Sequence, residues 1–181
     1  MNKIAALFYL LCAFAILGSI DIAYFHIFRF KLYKAPSSRG EQITHLLRTI
    51  LFLTAMLLVM FVDAHGVFSL LLPVILLIDF LNSMIDVLLE PNSRQSLGGL
   101  PPMEYAVHMV TMFLSGAIMA IAVIECGSSW NVESRVGYRL LNVPPLALAL
   151  GWQIIVIATG FCLFEGANFT RSLITAKTGN S

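Results

Sequence analysis

The sequence predicts an all-α, polytopic membrane protein: an antiparallel four-helix transmembrane bundle, a fifth transmembrane helix beside it, and a short interfacial helix in the fourth connection. Three observations predict it. The 181 residues are 59% hydrophobic and 12% charged, with a mean hydropathy of +0.87, which is more apolar than a water-soluble domain carries. Five apolar stretches separated by turn formers each approach the roughly 20 residues that cross a hydrocarbon core. The ionisable residues inside those stretches gather at one end of the predicted bundle.

The first span, residues 4–30, shares Lys3, an apolar run and the small residues Gly18 and Ser19 with a secretory leader. Its apolar character continues to Phe30, so it is read as a helix. Pro36, Ser37, Ser38 and Gly40 then break the chain before a second span over 43–62. His65 and Gly66 form a solvated turn ahead of the third, 67–89. Pro91 to Pro102, with Gly98 and Gly99, make the next connection, and the fourth span covers 105–124. The connection from Gly127 to Pro145 holds Trp130 and a Val132, Val136, Leu140, Val143 stripe, the spacing of an amphipathic helix lying in the interface. The fifth span is 146–164, and residues 1–181 read as one integral membrane domain.

Lys31, Lys34, Arg39, Arg94, Arg171 and Lys177 fall on one side of these spans, against Lys3, Arg135 and Arg139 on the other. The positive-inside bias then puts the N-terminus outside and the C-terminus in the cytoplasm, as expected for a protein of the bacterial inner membrane. A net charge of +1 without basic runs excludes a nucleic-acid surface. Cys12, Cys126 and Cys162 lie in separate segments, so neither a disulfide framework nor a thiolate zinc site is indicated. The sequence has no GxSxG, HExxH, P-loop or dinucleotide fingerprint.

An acid in a membrane helix costs about 2.5 to 3.5 kcal/mol on insertion scales and calls for a partner. Asp21 and His26 end the first span, Glu41 and His45 begin the second, Asp79, Asp86 and Glu90 lie in the later half of the third, and Glu104 and His108 begin the fourth. Helices that alternate in direction bring all of these to the cytoplasmic end. At about 100° per residue, Glu41, His45 and Arg48 share a face, as do Glu104 and His108. Asp79, Asn82, Asp86 and Glu90 form a stripe along an otherwise apolar helix. Asp21 and Tyr24 share a face, while His26 is turned about 140° from Asp21, so one of Asp21 and His26 is expected to point elsewhere. A repeat follows: Asp21, Glu41 and His45 match Asp86, Glu104 and His108, the Asp-to-Glu distance being 20 and then 18. Two hairpins related by a twofold along the membrane normal would set these triplets opposite one another.

Carboxylates and imidazoles from four facing helices suit a pair of divalent cations, since carboxylates bridge and neutralise them and imidazoles complete their coordination. The layout resembles the ferritin-like di-iron and di-manganese carboxylate bundles, in which two helices each give a carboxylate and the other two each give a Glu and His pair. It departs from them in a Glu-to-His spacing of 4 rather than 3, in Asp where Glu is usual, and in being embedded in a membrane.

The candidate ligands are Asp21, Glu41, His45, Asp86, Glu104 and His108. His26, Asp79, Asn82 and Glu90 are supporting or alternative ligands, with Tyr24 and Arg48 as hydrogen-bond partners. Helix capping offers another use for Glu41, three residues after Ser38, and for Glu104, just after Pro101 and Pro102. It does not account for a histidine one turn later in both helices.

The function expected is oxidoreductase-type chemistry at two divalent ions (iron, manganese or zinc) on a small or lipophilic substrate such as a quinone or a membrane lipid. Alternatives are a metal-ion transporter or sensor, a b-type cytochrome with haem between His45 and His108, and a scaffold held by a metal-free network of Arg29, Arg48 and Arg94. Glu165, near the end of the fifth span, reads as snorkelling to the interface.

Overall fold

The computed structural model describes residues 2–178 and is 84% helical. Helix α1 (Lys3–Ile20) runs directly into a π-helical segment, Asp21–Arg29. It is followed by α2 (Arg39–Phe61), strand β1 (Val62–His65), α3 (Leu71–Arg94), α4 (Pro102–Ser129), strand β2 (Arg135–Tyr138) and α5 (Pro145–Thr178). Five helical segments among the described residues, 3–29, 39–61, 66–97, 102–129 and 145–171, are long and apolar enough to cross a membrane.

Sequence chemistry sets the ends of these helices. The Asn2 side chain accepts from the Ile4 N–H at 3.1 Å, capping α1. Pro102 occupies the first helical position of α4, where its missing N–H costs nothing. Gly98 and Gly99, at φ of 92° and 86°, take the left-handed conformation that turns the chain between α3 and α4.

Two of the predicted connections differ. Pro91 was expected to end the third helix but lies inside α3, which continues to Arg94. A proline there removes one backbone hydrogen bond. The added turn is held by its own side chains, because it carries Ser93 and Arg94 into contact with acids of α2 and α4. The fourth connection forms strand β2, not an interfacial helix, and the turn expected at His65 is part of strand β1. The two strands pair antiparallel, with Val62 opposite Tyr138 and His65 opposite Arg135. Gly137, Val136 and Tyr138 are poor helix formers, and the latter two favour strands. Arg139 clamps the pair through an Asp63 contact at 3.0 Å and a backbone bond to the Phe61 carbonyl at 2.8 Å. His65 and Arg139 hydrogen-bond the Asp63 carboxyl and hold it below the usual carboxylate range.

Helix α2 lies antiparallel to α3: Glu41 meets Arg94, Thr44 meets Asp86 and Arg48 meets Asp79. Helix α1 lies antiparallel to α4, with Lys3 3.2 Å from Glu125 at one end and Asp21 3.1 Å from His108 at the other. Helix α5 packs on α1 and α2. The interior divides along the helix axes. Toward the strand pair it is apolar, built on Leu7, Phe8, Leu11, Met56, Val59 and Ile118. Toward the other end it is polar. Helix α3 is built the opposite way from a soluble helix: it buries Asp79, Asn82, Ser83, Asp86, Glu90, Ser93 and Arg94 and exposes Leu77, Ile78, Leu81, Met84, Ile85 and Leu88. An apolar exterior around a polar interior suits a hydrocarbon solvent.

Close approach of α5 depends on Gly151, where a Cβ would lie 2.8 Å from Phe8 Cε2 and 3.3 Å from Met56 Cε, both buried. Gly151→Ala is expected to cost about 1–3 kcal/mol by overpacking, seen as a lower thermal midpoint in detergent. Gly160→Ala, with nothing within 4 Å, is expected to raise the midpoint slightly through helix propensity.

Candidate metal centre

The polar end is assembled by four elements, beginning with the π-helical segment. A nine-residue run of this winding is rare and tends to mark functional sites. Its i to i+5 hydrogen bonds set residues five apart one above the other. Asp21 and His26 therefore both point inward, 5% and 4% exposed, with His26 Nε2 3.6 Å from Asp21 Oδ2. The expectation that one of them would face away assumed α-helical winding and is corrected here. The same winding turns Tyr24 outward, where it packs against Phe25 and Phe28, with ring centroids 4.8 and 6.3 Å away. Tyr24 is thus no partner of the cluster.

Glu41, the third residue of α2, is fully buried. Its carboxylate accepts from the Ser93 hydroxyl and lies 2.8 Å from Arg94 Nη2. Ser38 makes no side-chain cap to α2; its hydroxyl lies 3.0 Å from that of Ser93. Glu104, in the first turn of α4, is also fully buried and receives a hydrogen bond from Arg94. Capping therefore does not describe either glutamate. The Arg94 guanidinium, itself without solvent exposure, thus touches both glutamates and lies 3.1 Å from His26 Nε2. It also stands over the Phe30 ring at 5.0 Å.

The two sequence triplets pair crosswise. His108 Nε2 lies 3.1 Å from Asp21, and His45 Nε2 lies 3.3 Å from Asp86. The two glutamates converge on one arginine. Around them, Thr44 donates to Asp86, Glu90 lies 3.0 Å from His108 Nδ1, and the Asn82 amide donates to the Thr44 carbonyl at 2.8 Å. Glu90 and Asp86 thus brace the two imidazoles, an arrangement that fixes ring orientation in metal sites. Arg48 lies 3.7 Å from Asp86 and 3.9 Å from Asp79, at ion-pair rather than hydrogen-bond range.

Two sets of buried side chains offer ligand atoms within 4.8 Å of one another: Asp21, His26, Glu104 and His108 in one, and His26, Glu41 and His45 in the other. His26 belongs to both, and its ring lies 4.3 Å from that of His45. Either set could hold a metal ion. Asp86, Asp79 and Glu90 fall outside both sets, and the Asn82 amide is engaged by the Thr44 carbonyl. The donor chemistry fits a cation, because the carboxylate oxygens Asp21 Oδ1 and Glu104 Oε2 are buried without a hydrogen-bond partner. The sequence offered Arg94 as an ion-pair partner of these acids, together with Arg29 and Arg48, but not Thr44 or Ser93. Continuing the 3- and 4-residue spacing of the α3 stripe past Glu90 reaches Ser93 and Arg94, and Pro91 obscured that continuation.

No protein family, curated protein or solved structure matches this chain.

Removing Arg94 would leave two buried glutamates facing each other. Arg94→Met is expected to destabilise the metal-free protein by about 3–5 kcal/mol. Arg48→Met, at a side chain 24% exposed with longer contacts, is expected to cost about 1 kcal/mol or less. Thermal unfolding in detergent with chelator present measures both.

Proposed function

We propose that the chain is an integral membrane metalloprotein that binds two divalent ions and performs oxidoreductase-type chemistry on a small or lipophilic substrate. In this reading α1 to α4 form an antiparallel four-helix bundle within a single membrane domain and α5 flanks it. The N-terminus lies outside and the C-terminus in the cytoplasm of a bacterial inner membrane. The observation that carries the reading is the pair of buried ligand sets joined at His26. Charge supports it. Asp21, Glu41, Asp79, Asp86, Glu90 and Glu104 are six buried carboxylates facing two guanidinium groups, those of Arg48 and Arg94. The carboxylates leave four negative charges, and His26, bridging the two ions as imidazolate because a neutral ring has one lone pair, would add a fifth, a surplus that divalent cations offset. Iron, manganese and zinc all accept this mixed nitrogen and oxygen donor set. Bound there, they would supply Lewis-acid chemistry and, for iron or manganese, one-electron chemistry.

Substrate access from the bilayer is supported by a cavity of about 70 Å³ whose walls include Phe14, Gly18, Phe52, Ile154 and Phe161 and whose polar end is Asp21, His45, Arg48 and His108. A Cβ on Gly18 would meet nothing within 4 Å. An apolar chamber ending on charged and imidazole groups suits a quinone or a lipid with an uncharged polar head.

Other readings receive less support. The acidic stripe ends at Asp79, and beyond it the interior is the apolar core around Leu76, Met56 and Phe8, which disfavours a cation path across the membrane. His45 and His108 are each engaged by an aspartate, and His26 packs on His45, which disfavours a haem between them. The central position of Arg94 does favour a second reading, a metal-free ion-pair network that fixes helix packing.

Elemental analysis separates the two. Protein purified in detergent without added metal is expected to carry about two equivalents of iron, manganese or zinc per chain. His26→Ala is expected to lose both and His108→Ala one, each with helix content retained. Only trace metal in the wild-type protein, with both variants losing fold instead, would establish the packing network.

A further inference from the structure

One carboxylate near the cluster has no role in the reading above. Glu165 lies on α5, the helix outside the predicted bundle, and at that depth it was expected to snorkel. Its Oε2 is instead buried and lacks a hydrogen-bond partner. The residue lines a small cavity, about 20 Å³, together with His26, Glu41 and His45, the three members of the second ligand set. Ile27, Leu32, Tyr33, Phe164 and Gln42 complete the wall, and the Gln42 amide is turned to the Leu32 carbonyl. A buried carboxylate oxygen without a partner, on a cavity shared with two imidazoles and a second carboxylate, is matched to a cation rather than to the surface.

The two sets are unequal in number. Asp21, His26, Glu104 and His108 offer four ligand atoms, whereas His26, Glu41 and His45 offer three, and a tetrahedral ion takes four. Glu165 stands outside that set as the side chains lie, and we propose that it swings in to complete the set when a cation binds, so that α5 contributes a ligand. The cation class is a divalent ion that accepts two imidazoles and two carboxylates, as zinc, iron, manganese or cobalt do. Its negative charge adds to the surplus already counted and strengthens the demand for a cation at this end of the cluster. The packing of α5 on α2 then serves the site as well as the fold.

This inference rests on the metalloprotein reading, and the experiment tells the two apart. The full chain, stripped with chelator in detergent, is titrated with Co²⁺ and followed by calorimetry and by the visible d–d bands that report coordination. Two Co²⁺ are expected for the wild type. Glu165→Gln is expected to keep one at unchanged affinity and to bind the other at least about tenfold more weakly, since loss even of an outer partner costs about 10–100-fold, with altered d–d bands. His108→Ala is expected to lose the opposite ion. Glu165→Asp, which keeps the charge on a shorter arm, is expected to weaken the same single ion and serves if the glutamine variant fails to fold. Two Co²⁺ bound by both Glu165 variants with wild-type affinity and spectrum would overturn the role of Glu165 and leave the metal reading standing. No Co²⁺ bound by the wild type would overturn both.

Discussion

The contact on which the structure depends most is that of Arg94 with Glu41 and Glu104. Three fully buried charged groups from three different helices meet there, in a chain whose exterior is hydrocarbon-like. Charges at that depth are tolerated only when each is neutralised and hydrogen-bonded. The guanidinium answers for the charge of both glutamates through one nitrogen, Nη2, while Nε and Nη1 are buried without a hydrogen-bond partner. That requirement explains why α3 remains helical past Pro91. Ending the helix at the proline would spare a strained turn but strand two buried carboxylates, and the second cost is the larger.

The same constraint shapes the rest of the polar end. Helix α3 keeps its polar residues on the inward face over Asp79 to Arg94 because the outward face is committed to apolar side chains. The hydroxyls of Thr44 and Ser93 are spent on Asp86 and Glu41. Where the polar demand ends, near Leu76, ordinary apolar packing takes over and continues to the β1–β2 pair. The fold thus has one half held by van der Waals packing and one half held by charge compensation.

Much of this was legible in the sequence. The five spans are so because apolar runs of membrane length are hard to mistake. The convergence of Glu41, His45, Glu104 and His108 is so because their spacing of four places them on one helical face. Three parts were not legible, each for a physical reason. The inward turn of His26 depends on π-helical winding, and a 100° period gives the opposite answer. The role of Ser93, and the helical placement that sets Arg94 between both glutamates, lay behind a proline that usually ends a helix. The strand pair depends on contacts between Val62–His65 and Arg135–Tyr138, far apart in sequence, which a hydrophobic stripe in the fourth connection cannot register.

The departures from internal symmetry bear on function more than the symmetry does. Crosswise pairing of Asp21 with His108 and of Asp86 with His45 is what two related hairpins should give. Arg29 stands eight residues after Asp21 as Arg94 stands eight after Asp86. Yet Arg94 is fully buried, while Arg29 is exposed and stacks on Phe30 at 5.1 Å. With Arg29 also inward, the carboxylate surplus left by Arg48 and Arg94 would fall from four charges to three. With Arg29 turned out, and with the π-winding bringing His26 inward in its stead, a charged donor is exchanged for a group that can give a lone pair. The first hairpin thus supplies a ligand-capable residue where the second supplies a fixed cation. That exchange is of use to the proposed cation-binding centre, because a lone pair can ligate where a guanidinium cannot.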